Sequence, residues 1–219
     1  MPQSEELVGQ GDLTLDVPRS NGDTFTASVW GNDQLSNSSG GAAFSDGHGG
    51  DFSELDVTAR YSAQVDEVRM FGGVVHYAFP DLVGRSTTEL FAGVTFDGWT
   101  DGLTHTAMLY FDVDQADDYY ATYGLDWTHA LDERFQAAIG GQLGLMSDGQ
   151  AELYFGRDRT GLSDATLTGQ LEYQLDDVTH VWAKAGALVV PDAGLRDADD
   201  DRGFPSSAMV FTIGVRWSF

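Results

Sequence analysis

Eleven carboxylates fall on the polar side of alternating segments: Asp16, Glu54, Asp56, Glu89, Asp97, Asp112, Asp114, Asp126, Asp164, Glu172 and Asp176. A period of two puts such residues on one face of a β-strand. Only Arg60, Lys184 and Arg216 bring positive charge to the same face, and Lys184 is the sole lysine of the chain. Rows of acids along a wall attract cations, as carboxylate rings do in cation-selective pores. A charge network that fills an interior is the plainer use of the same residues.

Other chemistry is thin. Five histidines, His48, His76, His105, His129 and His180, are scattered along the chain. His48 has carboxylates nearby in Asp46-Gly47-His48-Gly49-Gly50-Asp51, and His76 is expected to face inward past mid-strand. His129 and His180 sit beside short turns, where an interfacial polar role suffices. None has a nucleophile or base at a motif-defining spacing, so no enzyme is expected. Phosphate loops, zinc motifs and nucleotide fingerprints are missing, and no cofactor is implied. Asp197, Asp199, Asp200 and Asp201 crowd one acidic stretch. Clustered carboxylates can hold a hard cation, which would bridge to anionic lipopolysaccharide. The stretch lacks the EF-hand order, so a solvated acidic loop is the stronger reading and no metal site is assigned.

The elements that carry these residues must be strands. Of 219 residues, 27 are Gly and 12% are aromatic, and apolar positions rarely recur at helical spacing. No apolar run reaches the ~20 residues of a spanning helix. Cysteine is absent, which excludes disulfides and thiolate metal sites. With 35 acids against 11 Lys plus Arg, the formal charge of −24 argues against nucleic acid as a partner.

Alternation is plainest over 164–176. There Ala165, Leu167, Gly169, Leu171, Tyr173 and Leu175 oppose Asp164, Thr166, Thr168, Gln170, Glu172, Gln174 and Asp176. At the C-terminus Met209, Phe211, Ile213, Val215, Trp217 and Phe219 oppose small or polar residues. Similar segments occupy 11–17, 24–33, 53–63, 68–79, 89–97, 106–114, 119–128 and 135–145; 181–190 is ambiguous. In 68–79 the apolar set Phe71, Gly73, Val75, Tyr77 and Phe79 is assigned outward. Most segments reach the ~9–11 residues that span a bilayer, against about 5–6 in soluble strands. One face is too acidic for a dry core, and the other lacks the charges of a solvated surface. Lipid outside and water inside accounts for both. The predicted fold is an all-β, antiparallel, up-and-down transmembrane β-barrel of about 10–12 strands, with 1–10 as a loop or tail and 11–219 as the barrel.

Connector lengths give a direction. Short turns are expected at Arg19–Asp23, Val65–Glu67, Asp97–Leu103, Leu131–Arg134 and Asp176–Thr179, and long polar loops at 34–52, 147–162 and 192–206. About eleven strands are visible, whereas bacterial single-chain barrels use an even number. No secretory signal precedes them. A start assigned too late would account for both. The alternative is a ten-stranded barrel with 11–17 as a plug or periplasmic segment and a removed signal.

Thr87-Thr88-Glu89-Leu90-Phe91-Ala92-Gly93-Val94, Gly72 to Pro80, and Phe25 to Asn32 resemble stretches of the TorF-like family of outer-membrane porins. The resemblance implies a twelve-stranded barrel that acts as a channel in the Gram-negative outer membrane, and it carries over no catalytic residues. Trp217 and the terminal Phe219 resemble the signal read by the barrel-assembly machinery. The expected partners are outer-membrane lipid, lipopolysaccharide, that machinery and small, preferably cationic solutes, around a monomer. A non-conducting barrel that presents acidic loops is the alternative.

Overall fold

Two-residue and Asx-type turns set the strand order. Val65 pairs with Val68 across Asp66-Glu67, and Asp66 takes a positive φ of 54°. At Arg19–Asp23 the Asn21-Gly22 pair closes the turn, with Gly22 at φ 90° and Arg19 N–H donating to the Asp23 carbonyl at 2.8 Å. Asp132 accepts the N–H groups of Arg134 and Phe135, both at 2.8 Å; these bonds hold its carboxyl below the usual range. Asp176 does the same with Val178 at 3.0 Å and Thr179 at 2.8 Å. A carboxylate closing its own turn is a strong local stop to a strand.

The structure is a computed structural model that describes residues 7–35, 52–80, 86–196 and 207–218. Its strands are β1 (Val8–Pro18), β2 (Thr24–Gln34), β3 (Phe52–Val65), β4 (Val68–Ala78), β5 (Thr87–Asp97) and β6 (Leu103–Asp112). They continue as β7 (Tyr119–Ala130), β8 (Phe135–Met146), β9 (Gly161–Gln174), β10 (Thr179–Val189) and β11 (Ser207–Trp217), with a helix α1 (Asp148–Phe155) between β8 and β9. Each strand pairs antiparallel with the next in one eleven-stranded, up-and-down sheet. Among the described residues no ladder joins β1 to β11. The sheet curls, since a single cavity is bounded by Thr14 of β1 and Tyr110 of β6.

The apolar set faces out. Leu167 is 62% exposed and Ile213 86%, and Leu13, Leu90, Ile139, Leu171 and Phe211 stand clear of the protein with them. Few large apolar side chains are buried, so the protein interior is no hydrophobic core. A second sheet stacked on this face would have buried these residues, and none does. Aromatic residues mark the short-turn end of the outer face: Phe25 opposite Tyr61, Phe135 against Tyr173 with ring centroids 4.6 Å apart, and Trp127, Trp99 and Trp217. Amphipathic rings collect at this level in membrane barrels.

Two glycines make room for rings inside. Gly73 pairs with Phe91, and Phe71 with Gly93, so each ring covers the bare backbone opposite it. A Cβ on Gly73 would stand 2.1 Å from the Ala59 carbonyl oxygen and 2.7 Å from the Phe91 ring. The backbone atom cannot swing aside as a side chain could. Gly73→Ala should therefore destabilise the barrel by about 1–3 kcal/mol, measured by urea unfolding in lipid vesicles; an unchanged midpoint would contradict this packing.

Candidate functional site

The inner wall is laid out by register. Asp56 sits opposite Tyr77, Arg60 opposite Gly73 and Ser62 opposite Phe71. Glu89 pairs with Val75 on one side and Asp112 on the other. These pairs carry the inward set across β3 to β6, and they correct the expectation for β4. Phe71, Val75 and Tyr77 line the interior, while His76 is exposed on the outer face and hydrogen-bonds Thr88 Oγ1 at 2.9 Å. The turn was the missed signal. With Val65 opposite Val68, Ser62 must face the same way as Phe71. Arg69 and Glu67, absent from the expected site, join the wall for the same reason.

At the short-turn half the interior holds a cavity of about 860 Å³, lined by Asp56, Arg60, Glu67, Arg69 and Asp97 among Thr and Ser hydroxyls. Arg60 places its guanidinium 5.7 Å from the Phe71 ring centroid, and its Nε is buried without a hydrogen-bond partner. Further round the sheet, Glu172 of β9 ties three strands together. It accepts from Arg216 at 2.5 Å and His180 at 2.8 Å. His180 thus belongs to an inward polar network around Glu172 and not merely to a turn. Its strand was ambiguous in sequence; pairing puts His180, Trp182, Lys184, Gly186 and Leu188 on the inner face. Lys184 is exposed there, opposite Gln170 and Thr212.

At the long-connector half a second cavity of about 350 Å³ is bounded by Glu54, Tyr77, Phe79, Glu89, Tyr120 and residues of α1. Tyr77 lines both cavities. Helix α1 is a departure from the expected loop over 147–162. Ser147 stands at its N-cap, Asp148 in its first turn, and Gly156 closes it at φ 67°. Ala151 packs with Val190 and Leu195, flanked by Met146 and Phe155, and Arg159 ties to Asp192 at 2.9 Å. This small core fixes α1 over the mouth. Gln150 is buried, and its side-chain amide donates to the Asp118 backbone carbonyl at 3.4 Å. Burial, then the carboxylates of Glu89, Asp112 and Glu54, pushes the Tyr154 phenol up to about 12.

Small residues on β8 admit the acids of neighbouring strands. A Cβ on Gly144 would meet Asp164 Oδ2 at 2.0 Å, and that carboxylate accepts from Tyr120 at 2.9 Å and Ser163 at 2.7 Å. Gly140 likewise leaves space for Asp126. Asp16 accepts from Thr26 at 2.5 Å. Not every predicted acid reaches the wall. Asp114 lies past the end of β6, and Asp176 lies in the β9–β10 turn, where it serves the backbone. Asp112 is 0% exposed and accepts from Thr87 and two backbone N–H groups. His105 and His129 stand in the outer aromatic belt, His105 stacked on Phe96 at 4.8 Å and His129 on Trp127 at 5.3 Å. His48, Asp197, Asp199, Asp200, Asp201, Phe219 and the connector around 81–85 lie outside the described residues.

Solved structures share this architecture. The KdgM porin aligns over 98% of this chain and 95% of its own, with 14% identity and a TM-score of 0.54. The NanC porin aligns over 97% and 94%, with 13% identity and a TM-score of 0.60. The fold is that of small outer-membrane porins. A KdgM porin in complex with disordered oligogalacturonate matches equally well, at 14% identity and a TM-score of 0.54. At such identity the likeness establishes the fold alone. No protein-family profile and no curated protein matches the sequence.

Proposed function

We propose that the chain is an outer-membrane channel that passes small solutes by diffusion and prefers cations. The supporting observation is the balance of the wall: the two cavities are lined by Glu54, Asp56, Glu67, Glu89 and Asp97 against Arg60 and Arg69. A low-dielectric tube with surplus carboxylates concentrates cations and repels anions. In this reading Glu54, Asp56, Arg60, Glu89, Asp97, Asp126, Asp164, Glu172, Lys184 and Arg216 are the pore-lining charges. The long connectors and α1 face the exterior, the short turns face the periplasm, and lipid and lipopolysaccharide cover the outside. Membership of the TorF-like family and delivery by the barrel-assembly machinery through Trp217 and Phe219 belong to the same proposal. Oligogalacturonate, the acidic ligand of one KdgM complex, is a poor candidate for this wall.

A non-conducting barrel is the second reading, and α1 seated at the mouth favours it. Single-channel recording of refolded protein across a salt gradient separates the two. The channel reading expects discrete conductance steps with a reversal potential displaced toward the cation. Absent steps would support the second reading, and a displacement toward the anion would overturn the selectivity.

A further inference from the structure

We infer that the cavity beneath α1 is a binding site for a small methylated ammonium ion, a choline-like organic cation. It deepens the channel reading above, and rests on it, by naming a class of solute that pauses in the mouth. Three features meet there. Tyr77, Phe79, Tyr120 and Tyr154 supply aromatic walls on four different elements or connectors. Glu54 and Glu89 open onto the same space, and Glu89 is only 7% exposed. Among the described residues no Lys, Arg or His lines it. Behind Glu89, its cross-strand partner Asp112 is fully buried, with Oδ2 lacking a hydrogen-bond partner among the described residues.

Buried carboxylates with no counter-charge are costly. The tyrosine and glutamine side chains that line the cavity with Glu89 are neutral, so they do not cancel its charge. A positive ligand would do so. Its chemistry follows from the walls. A bare metal ion needs several oxygen ligands, and no three His, Asp or Glu side chains among the described residues converge at metal-binding geometry. Aromatic faces instead attract weakly hydrated cations, methylated ammonium above all. Such an ion needs no hydrogen bonds, which suits a site where Tyr120 already donates to Asp164 and the Gln150 amide to the Asp118 carbonyl. The volume of about 350 Å³ lies at the lower end of small-ligand pockets.

Choline and its uncharged isostere 3,3-dimethylbutanol are the probes. Equilibrium binding to refolded protein in detergent micelles should show saturable choline binding. The isostere should bind at least about tenfold more weakly, as lost charge and cation–π attraction require. Glu54→Gln with Glu89→Gln should weaken choline binding about tenfold or more. Tyr154→Leu, which changes α1 and leaves every strand intact, should weaken it about threefold to tenfold. Equal binding of the two probes, unaltered binding by Tyr154→Leu, or no saturable choline binding overturns the site. Conductance without choline binding leaves the channel standing and removes the site; choline binding without conductance keeps the site and removes the channel.

Discussion

Replacing α1 and its flanks, residues 148–160, by a short Gly-Ser link should raise unitary conductance about threefold. The helix carries Gln150, Tyr154 and Phe155 to a cavity that Glu54 of β3 also lines, so its side chains stand in the bore at the long-connector end. A pore conducts according to its narrowest section, and side chains that fill a small barrel's bore control it. The sheet itself should survive. Strands β8 and β9 stay joined by a ladder from Phe135↔Tyr173 to Met146↔Gly161. What is lost is the satellite core of Ala151, Val190 and Leu195. Planar-bilayer recording reads the step size directly, and an unchanged step would mean that α1 does not restrict the path.

Neutralising the acids of the mouth should remove cation preference altogether. In Glu54→Gln/Asp56→Asn/Glu89→Gln the charges left lining the two cavities, among the described residues, are Glu67 and Asp97 against Arg60 and Arg69. The permeability ratio of cation to anion should fall about tenfold, toward unity, within the range of effects that focused fields exert on ion entry. The difference between wild type and variant should shrink as salt rises, because the screening length drops from about 10 Å at 0.1 M to about 3 Å at 1 M. A ratio that stays high would place selectivity elsewhere, in residues beyond these cavities. Reversal potentials at two ionic strengths are sufficient.

Strand faces were legible wherever small, polar and greasy residues alternated without exception. In β9 the expected inward residues Asp164, Thr166, Thr168, Gln170 and Glu172 pair with the inward residues of β8. β11 reads the same way, with Phe211 and Ile213 on the exposed face. Composition misled in β4, because Phe71, Val75 and Tyr77 are apolar yet fill the interior. The space for them comes from Gly73 and Gly93, a relation between neighbouring strands that no single segment displays. Register arithmetic across the Asp66-Glu67 turn would have recovered it.

Helix α1 was missed for a different reason. Eight residues give too little periodicity to stand out, although Ser147, Asp148 and Gly156 are an N-cap, an acidic first turn and a left-handed stop. Its docking depends on Val190 and Leu195, about forty residues later in sequence. The charge of the site was legible and its shape was not. Glu54 and Glu89 were predicted to line the wall, whereas the cavity they share with Tyr77, Tyr120 and Tyr154 exists only once the sheet has curled.

Hydrocarbon against the outer face of β9 and water against its inner face is the claim from which the rest follows. The chain has no cysteine, so nitroxide labels can be placed singly at each position from Asp164 to Tyr173 in bilayer-embedded protein. Power-saturation with oxygen and with a water-soluble nickel complex should alternate out of phase. Oxygen should reach Ala165, Leu167, Gly169, Leu171 and Tyr173, and nickel Asp164, Thr166, Thr168, Gln170 and Glu172. Labels at Leu167 and Leu171 shielded from both reagents would put protein where lipid is claimed, and would contradict the barrel.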